Sequence, residues 1–200
     1  LAEMLVPFND PTVAVVYGRQ IPQINAPIDE RARLIRRFGD EALSSGPGAS
    51  QKRIPLSNAC AALRRERWEE FPYDETCEGG EEWAWTENIL TRGYRCWYWP
   101  KARVFHSHHD SIRRFVWREW ELHETLLVAS RKRSTLFAAV HRSLAMAKRR
   151  VSNCIFVRGE LWAKFVGLLR LPLEMFLFFV VSLISKNRSW RASMRPMFWQ

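Results

Sequence analysis

In the first half of the chain, apolar and polar residues follow two periods, and their boundaries predict the elements. Val13–Tyr17 (VAVVY) is an unbroken, largely β-branched apolar run between Asp10-Pro11 and Gly18, the pattern of a strand buried on both faces of an α/β sheet. The stretch Gly18-Arg19-Gln20-Ile21-Pro22 is predicted to leave it as a loop. Ala26–Phe38 carries helical spacing with Asp29 and Glu30 near its start, and Ser44–Ser50 (SSGPGAS) reads as a flexible loop. Ser57–Leu63 predicts a short strand running into a helix over Arg64–Phe71, which Pro72 stops. Glu82–Thr91 predicts a second helix closed by Gly93. Alternation returns over Tyr94–Trp99 up to Pro100, and Ala102–His106 predicts a further short strand.

From Ser111 onward the strand signal disappears. Ser111–Leu127 and Ser134–Val151 are long helical patterns rich in Arg and Lys. Phe165–Ile184 (FVGLLRLPLEMFLFFVVSLI) has only Arg170, Glu174 and Ser182 as clearly polar positions. Crossing a bilayer takes about twenty predominantly apolar residues, so the segment sits at that limit. Arg170 and Glu174 are spaced to pair, Pro172 kinks the helix, and Lys186, Arg188, Arg191 and Arg195 follow. The expectation is a helix lying in the membrane interface. A spanning segment and a helical hairpin packed on the protein are the alternatives.

Composition changes this picture chiefly through charge. The 200 residues carry a net charge of +10, with 47% hydrophobic and 26% charged positions, which excludes a disordered or low-complexity chain. Residues 1–100 hold 12 basic and 15 acidic residues, whereas residues 101–200 hold 19 and 6. A charge of −3 thus faces one of +13. Clusters such as Arg131-Lys132-Arg133 and Lys148-Arg149-Arg150 could neutralise nucleic-acid phosphates, but the apolar Leu171–Ile184 tract has no use there. An anionic membrane surface accounts for both features, and no nucleic-acid partner is expected. Cys60, Cys77, Cys96 and Cys154 form no CxxC pair and read as reduced thiols. The chain opens Leu1-Ala2-Glu3-Met4, with neither an initiator Met nor a signal sequence, and is expected to be a segment of something longer.

Candidate chemistry concentrates in Phe71–His109. Glu81 and Glu82 head a helix, where the dipole and free backbone N–H groups favour carboxylates. Such a pair is ordinary helix-start chemistry, or it fixes a general base that deprotonates a hydroxyl nucleophile. In His106-Ser107-His108, two imidazoles can project to one side of an extended segment, toward a metal or ligand, or simply be solvated.

The phrases GRQIP, SNACAALRRERWEEFPYDE and GGEEWAWTENILTRGYRCWYWPKARVFHSH, in that order, resemble the C-terminal half of the catalytic domain of a family 2 glycosyltransferase, especially the bacterial rhamnosyltransferase-like group. The resemblance covers roughly residues 1–125 and implies an α/β, partial GT-A fold lacking its N-terminal nucleotide-binding half, with residues 126–200 as a basic helical, membrane-associated tail. It further implies an inverting transfer from a nucleoside-diphosphate sugar donor to a polysaccharide or lipid-linked acceptor, at the cytosolic face of the inner membrane. By resemblance, Glu82, with Glu81 as neighbour or substitute, is the general base, although the family usually has Asp at the position of Glu82. His106 and His108 fall on the metal side, beside a divalent ion (Mg or Mn) whose other ligands are expected from the absent half. No Asp-x-Asp phrase occurs in the chain, so it is expected to be inactive alone.

Four further positions are candidate substrate contacts. Arg19 and Gln20 follow a buried strand at the acceptor side, Asn58 stands at a strand-to-helix turn, and Trp85 could stack on a sugar face. Loop solvation, helix capping and core packing are their respective alternatives. The contrasting functional class is a non-enzymatic, degenerate paralogue acting as a membrane-associated scaffold.

Overall fold

The computed structural model describes residues 2–49, 54–75, 80–118, 120, 136–157 and 161–184. The chain divides into two compact units, residues 1–25 with 33–107, and residues 26–32 with 108–200. The expected division at residue 125 falls outside the described residues.

The first unit is mixed α/β. Its elements are α1 (Ala2–Leu5), β1 (Val13–Ile21), the later part of α2 (Ile28–Arg37), β2 (Leu43–Ser45), β3 (Ala61–Leu63), α3 (Arg65–Glu70), α4 (Glu81–Thr91) and β4 (Arg95–Phe105). The sheet order is β2-β4-β1-β3, with β1 parallel to β4 and the other two pairs antiparallel. Its central strand β1 is buried along Val13–Tyr17, as the apolar run requires. Val15 and Tyr17 pack with Leu34 of α2, Phe38 just beyond it, and Trp85 and Ile89 of α4. Val13 and Val16 pack with Met4 and Ala102 in a separate cluster.

Three local predictions are revised by strand pairing. Gly18 is not the start of a loop, because Arg19, Gln20 and Ile21 continue β1 opposite Arg103, Val104 and Phe105. Gly18 is required there for close approach: a Cβ would lie 2.7 Å from the Ala102 carbonyl oxygen and collide with Cys60 Sγ. Pro100 does not end a strand. Gly18 pairs with Trp99 and Arg19 with Arg103, so Pro100–Ala102 bulge out of an otherwise continuous β4, which removes the need for a proline N–H. Finally, Ser44 and Ser45, expected in a loop, pair with Trp97 and Cys96.

Arg64 ties this unit together. Its guanidinium donates to the carbonyl oxygens of Val13 at 2.9 Å, Phe8 at 2.9 Å and Asp10 at 3.1 Å, and it lies over the Phe8 ring. Phe8 and Asp10 precede β1 and Val13 is its first residue, so one planar cation holds the entry to the strand.

The second unit is helical. It contains the first turn of α2, α5 (residues 112–118), α6 (Leu136–Phe156), α7 (Leu161–Leu169) and α8 (Leu171–Ile184). The apolar Phe165–Ile184 tract is therefore divided at Arg170, and no helix among the described residues is long and apolar enough to cross a membrane. One side of α8 serves as core, with Phe178 and Val181 buried against Val116, Trp117, Trp120 and Met146. The remainder of Ser111–Leu127, the Arg131-Lys132-Arg133 cluster and the basic positions after Ile184 lie outside the described residues.

Candidate functional site

The head of α4 is built from glycine and acids. Gly80 precedes it in the left-handed region at φ 74°, open to glycine at little cost, and no side chain caps the helix. Glu81 and Glu82 instead place negative charge at the positive end of its dipole. At the other end Gly93 adopts φ 87°, the expected left-handed terminator.

Two hydrogen-bond chains fix this first turn. Tyr73 Oη donates to Asn58 Oδ1 at 3.1 Å, and Asn58 Nδ2 donates to Glu81 Oε1 at 3.0 Å. The carboxylate can only accept, so the amide has one orientation, with its nitrogen toward Glu81 and its oxygen toward the phenol. Burial raises the Tyr73 pKa, and the negative charges of Glu82 and Glu81 raise it further, which keeps the phenol a donor. On the sheet side, Thr86 Oγ1 donates to the Glu82 carbonyl oxygen at 2.6 Å. With its one proton committed, Thr86 can only accept from Tyr17 Oη, 2.9 Å away, so the order is Tyr17 to Thr86 to the Glu82 backbone. The turn is thereby anchored to β1, while Glu81 is anchored to the short helical turn at Asn58–Cys60.

Glu82 has a different environment from Glu81. Its carboxyl pKa is raised, first by burial and then by the charge of Glu81, against the lowering effects of its own backbone N–H and Arg37. A half-buried carboxylate with a raised pKa, beside a second one held by an amide, is an arrangement suited to accepting a proton.

The other sequence candidates are placed differently. Arg19 lies on β1 and is ion-paired with Asp40, and Gln20 is buried on the same strand, with Nε2 lacking a hydrogen-bond partner among the described residues. Neither stands on a loop edge, because β4 supplies their strand partners. Trp85 is only 3% exposed; its indole N–H donates to the Phe71 carbonyl and its rings meet Tyr73 edge to face. It is a core residue and offers no free face for a sugar. His106 follows the end of β4, its backbone N–H donating to Ile21 O at 2.9 Å, whereas His108 belongs to the second unit, its N–H 3.3 Å from Glu30 Oε1. Among the described residues no group of three or more His, Cys, Asp or Glu side chains is arranged to hold a metal ion, so these two histidines do not by themselves fit one.

Tyr17, Tyr73 and Thr86 join the site only through the fold. Tyr17 carried a usable signal: a phenol at the end of a buried apolar strand must find a polar partner. For Tyr73, only the fold shows what its hydroxyl reaches.

Over 119 residues the chain is 33% identical to the O-antigen chain rhamnosyltransferase WbaN of Salmonella anatum, covering 56% of this chain and 38% of that protein. Over 111 residues it is 31% identical to the O-antigen chain rhamnosyltransferase RfbN of Salmonella typhimurium strain LT2, covering 53% of this chain and 35% of that protein. The matches span little more than a third of the length of these relatives. No family model matches the chain, and no solved structure matches it significantly. The similarities support a glycosyltransferase-like relationship over about half of the chain.

Proposed function

We propose that this chain is the acceptor-side part of an inverting, family 2 type glycosyltransferase that uses a nucleoside-diphosphate sugar and glycosylates a saccharide or lipid-linked acceptor at the cytosolic membrane face. The observation that carries the reading is Glu82, a half-buried carboxyl of raised pKa on a turn fixed from both sides. Similarity to two O-antigen rhamnosyltransferases supports the reaction class.

In the proposed step Glu82 takes the proton of the acceptor hydroxyl as its oxygen bonds to the anomeric carbon. The bond from that carbon to the diphosphate breaks, and the nucleoside diphosphate leaves with the electron pair. Glu81, held by Asn58, adds negative charge that raises the basicity of Glu82.

The test is substitution of Glu82 in the longest natural form of the protein. Glu82→Gln is expected to lower turnover by at least about a hundredfold, the usual contribution of a positioned base. Glu82→Asp, which keeps the carboxylate, is expected to retain part of the activity. Unchanged turnover in Glu82→Gln removes the base assignment and favours the scaffold reading.

A further inference from the structure

The described acidic side chains of the second unit are turned inward. Arg150, itself 5% exposed, is ion-paired with Asp29 and lies 2.7 Å from Glu174, which has no exposed surface. Arg170 stands 3.6 Å from the same Glu174 carboxylate. Arg118 lies 2.6 Å from Asp110 and 3.8 Å from Glu30. These four carboxylates are the described acids of the unit, and none is exposed.

Among the described residues of α6–α8, the exposed side chains are apolar or basic, His141 apart. On α6, Leu144 and Ile155 are exposed, with Lys148 and Arg149 exposed between them. On α7 and α8, Leu161, Leu169, Leu173 and Phe176 are exposed, Leu169 and Phe176 each to 63%. Large apolar side chains at this density on three helices that pack together are unusual for a surface facing only water.

We propose that the exposed face of α6–α8 docks on a bilayer containing anionic lipid. This rests on the membrane side of the functional reading and not on its chemistry. Charge selects the occupant. Leucine and phenylalanine enter the acyl boundary while Lys148 reaches the headgroup phosphates, and no described carboxylate of the unit is exposed to the anionic surface. A second copy of this chain on the same face would bring like charges together, and a nucleic acid would leave the apolar side chains uncovered.

Co-sedimentation of the full chain with vesicles tests the assignment. Binding is expected on mixed phosphatidylethanolamine and phosphatidylglycerol vesicles, and much weaker binding on phosphatidylcholine alone. The double variant Leu169→Glu/Phe176→Glu is expected to lower partitioning by about tenfold or more, and Lys148→Gln by about fivefold, with high salt reproducing the second effect. Circular dichroism and melting confirm that each variant is folded. Glu82→Gln is expected to bind vesicles like the wild type, so loss of transfer and loss of docking are read separately. The proposal is overturned if the wild type stays in the supernatant, if both vesicle types bind equally, or if the apolar-face variant partitions unchanged. A dimer that the apolar-face variant dissociates, with vesicle binding unaltered, assigns the face to a second copy and likewise overturns it.

Discussion

Asn58 Nδ2 lies 3.0 Å from Glu81 Oε1, bringing together two residues 23 positions apart. This bond distinguishes the neighbouring acids at the head of α4: Glu81 is tied down, and Glu82 is left half-buried with a raised pKa.

Asn58 and Tyr73 are accordingly positioning residues. Asn58→Ala is expected to lower kcat by about tenfold, the equivalent of one hydrogen bond to a charged group, with little change in KM. Tyr73→Phe removes only the outer bond and should cost a few-fold. Asn58→Asp sets a second carboxylate against Glu81 and is expected to move the acid limb of the pH–rate profile upward. An unmoved profile would restrict Asn58 to a packing role.

The raised pKa of Glu82 gives a stability prediction with a definite sign. The folded state holds this proton more tightly than the unfolded chain, so the contribution of Glu82 to stability falls as pH rises from its unfolded pKa through its folded one. Glu82→Gln should therefore melt at or above the wild-type temperature near neutral pH, and the difference should vanish below the ordinary carboxylate range. Thermal melts across pH check this, and a variant less stable than wild type at neutral pH contradicts it. In the active protein the acid limb of kcat/KM should lie above the ordinary Glu value.

Gly18→Ala is expected to destabilise the first unit by about 1–3 kcal/mol, as overpacking does. The obstacle is the Ala102 backbone carbonyl, 2.7 Å from the added carbon, which cannot rotate away as a side chain could. Chemical denaturation measures the loss.

Arg150→Met should be the most damaging of these changes, at about 3–5 kcal/mol, because it leaves Asp29 and Glu174 without their shared cation. Adding Glu174→Gln and Asp29→Asn to Arg150→Met is expected to recover much of that loss. A triple variant no more stable than the single one would mean that Arg150 acts through packing, including its contact with the Phe115 ring.

Much of the local structure was legible in the sequence. The buried VAVVY strand, the acid pair heading α4 and the Gly93 terminator depend on periodicity and backbone sterics within a few residues, and each appears in the fold. The site was legible only in part. Glu81 and Glu82 could be singled out, but the partners of the first turn come from β1, from the turn at Asn58 and from Tyr73.

The sequence by itself determined which segments are apolar, where α4 begins and ends, and that the second half is strongly basic. Tertiary structure alone decided that β1 runs on through Arg19 and Gln20, that Pro100 sits in a bulge, and that Trp85 is core. It also decided that the described carboxylates of the second unit turn inward, leaving apolar and basic side chains outside. The physical reason is the same throughout: strand continuity, burial and charge pairing are set by partners distant in sequence, and a local pattern carries no record of which partner arrives.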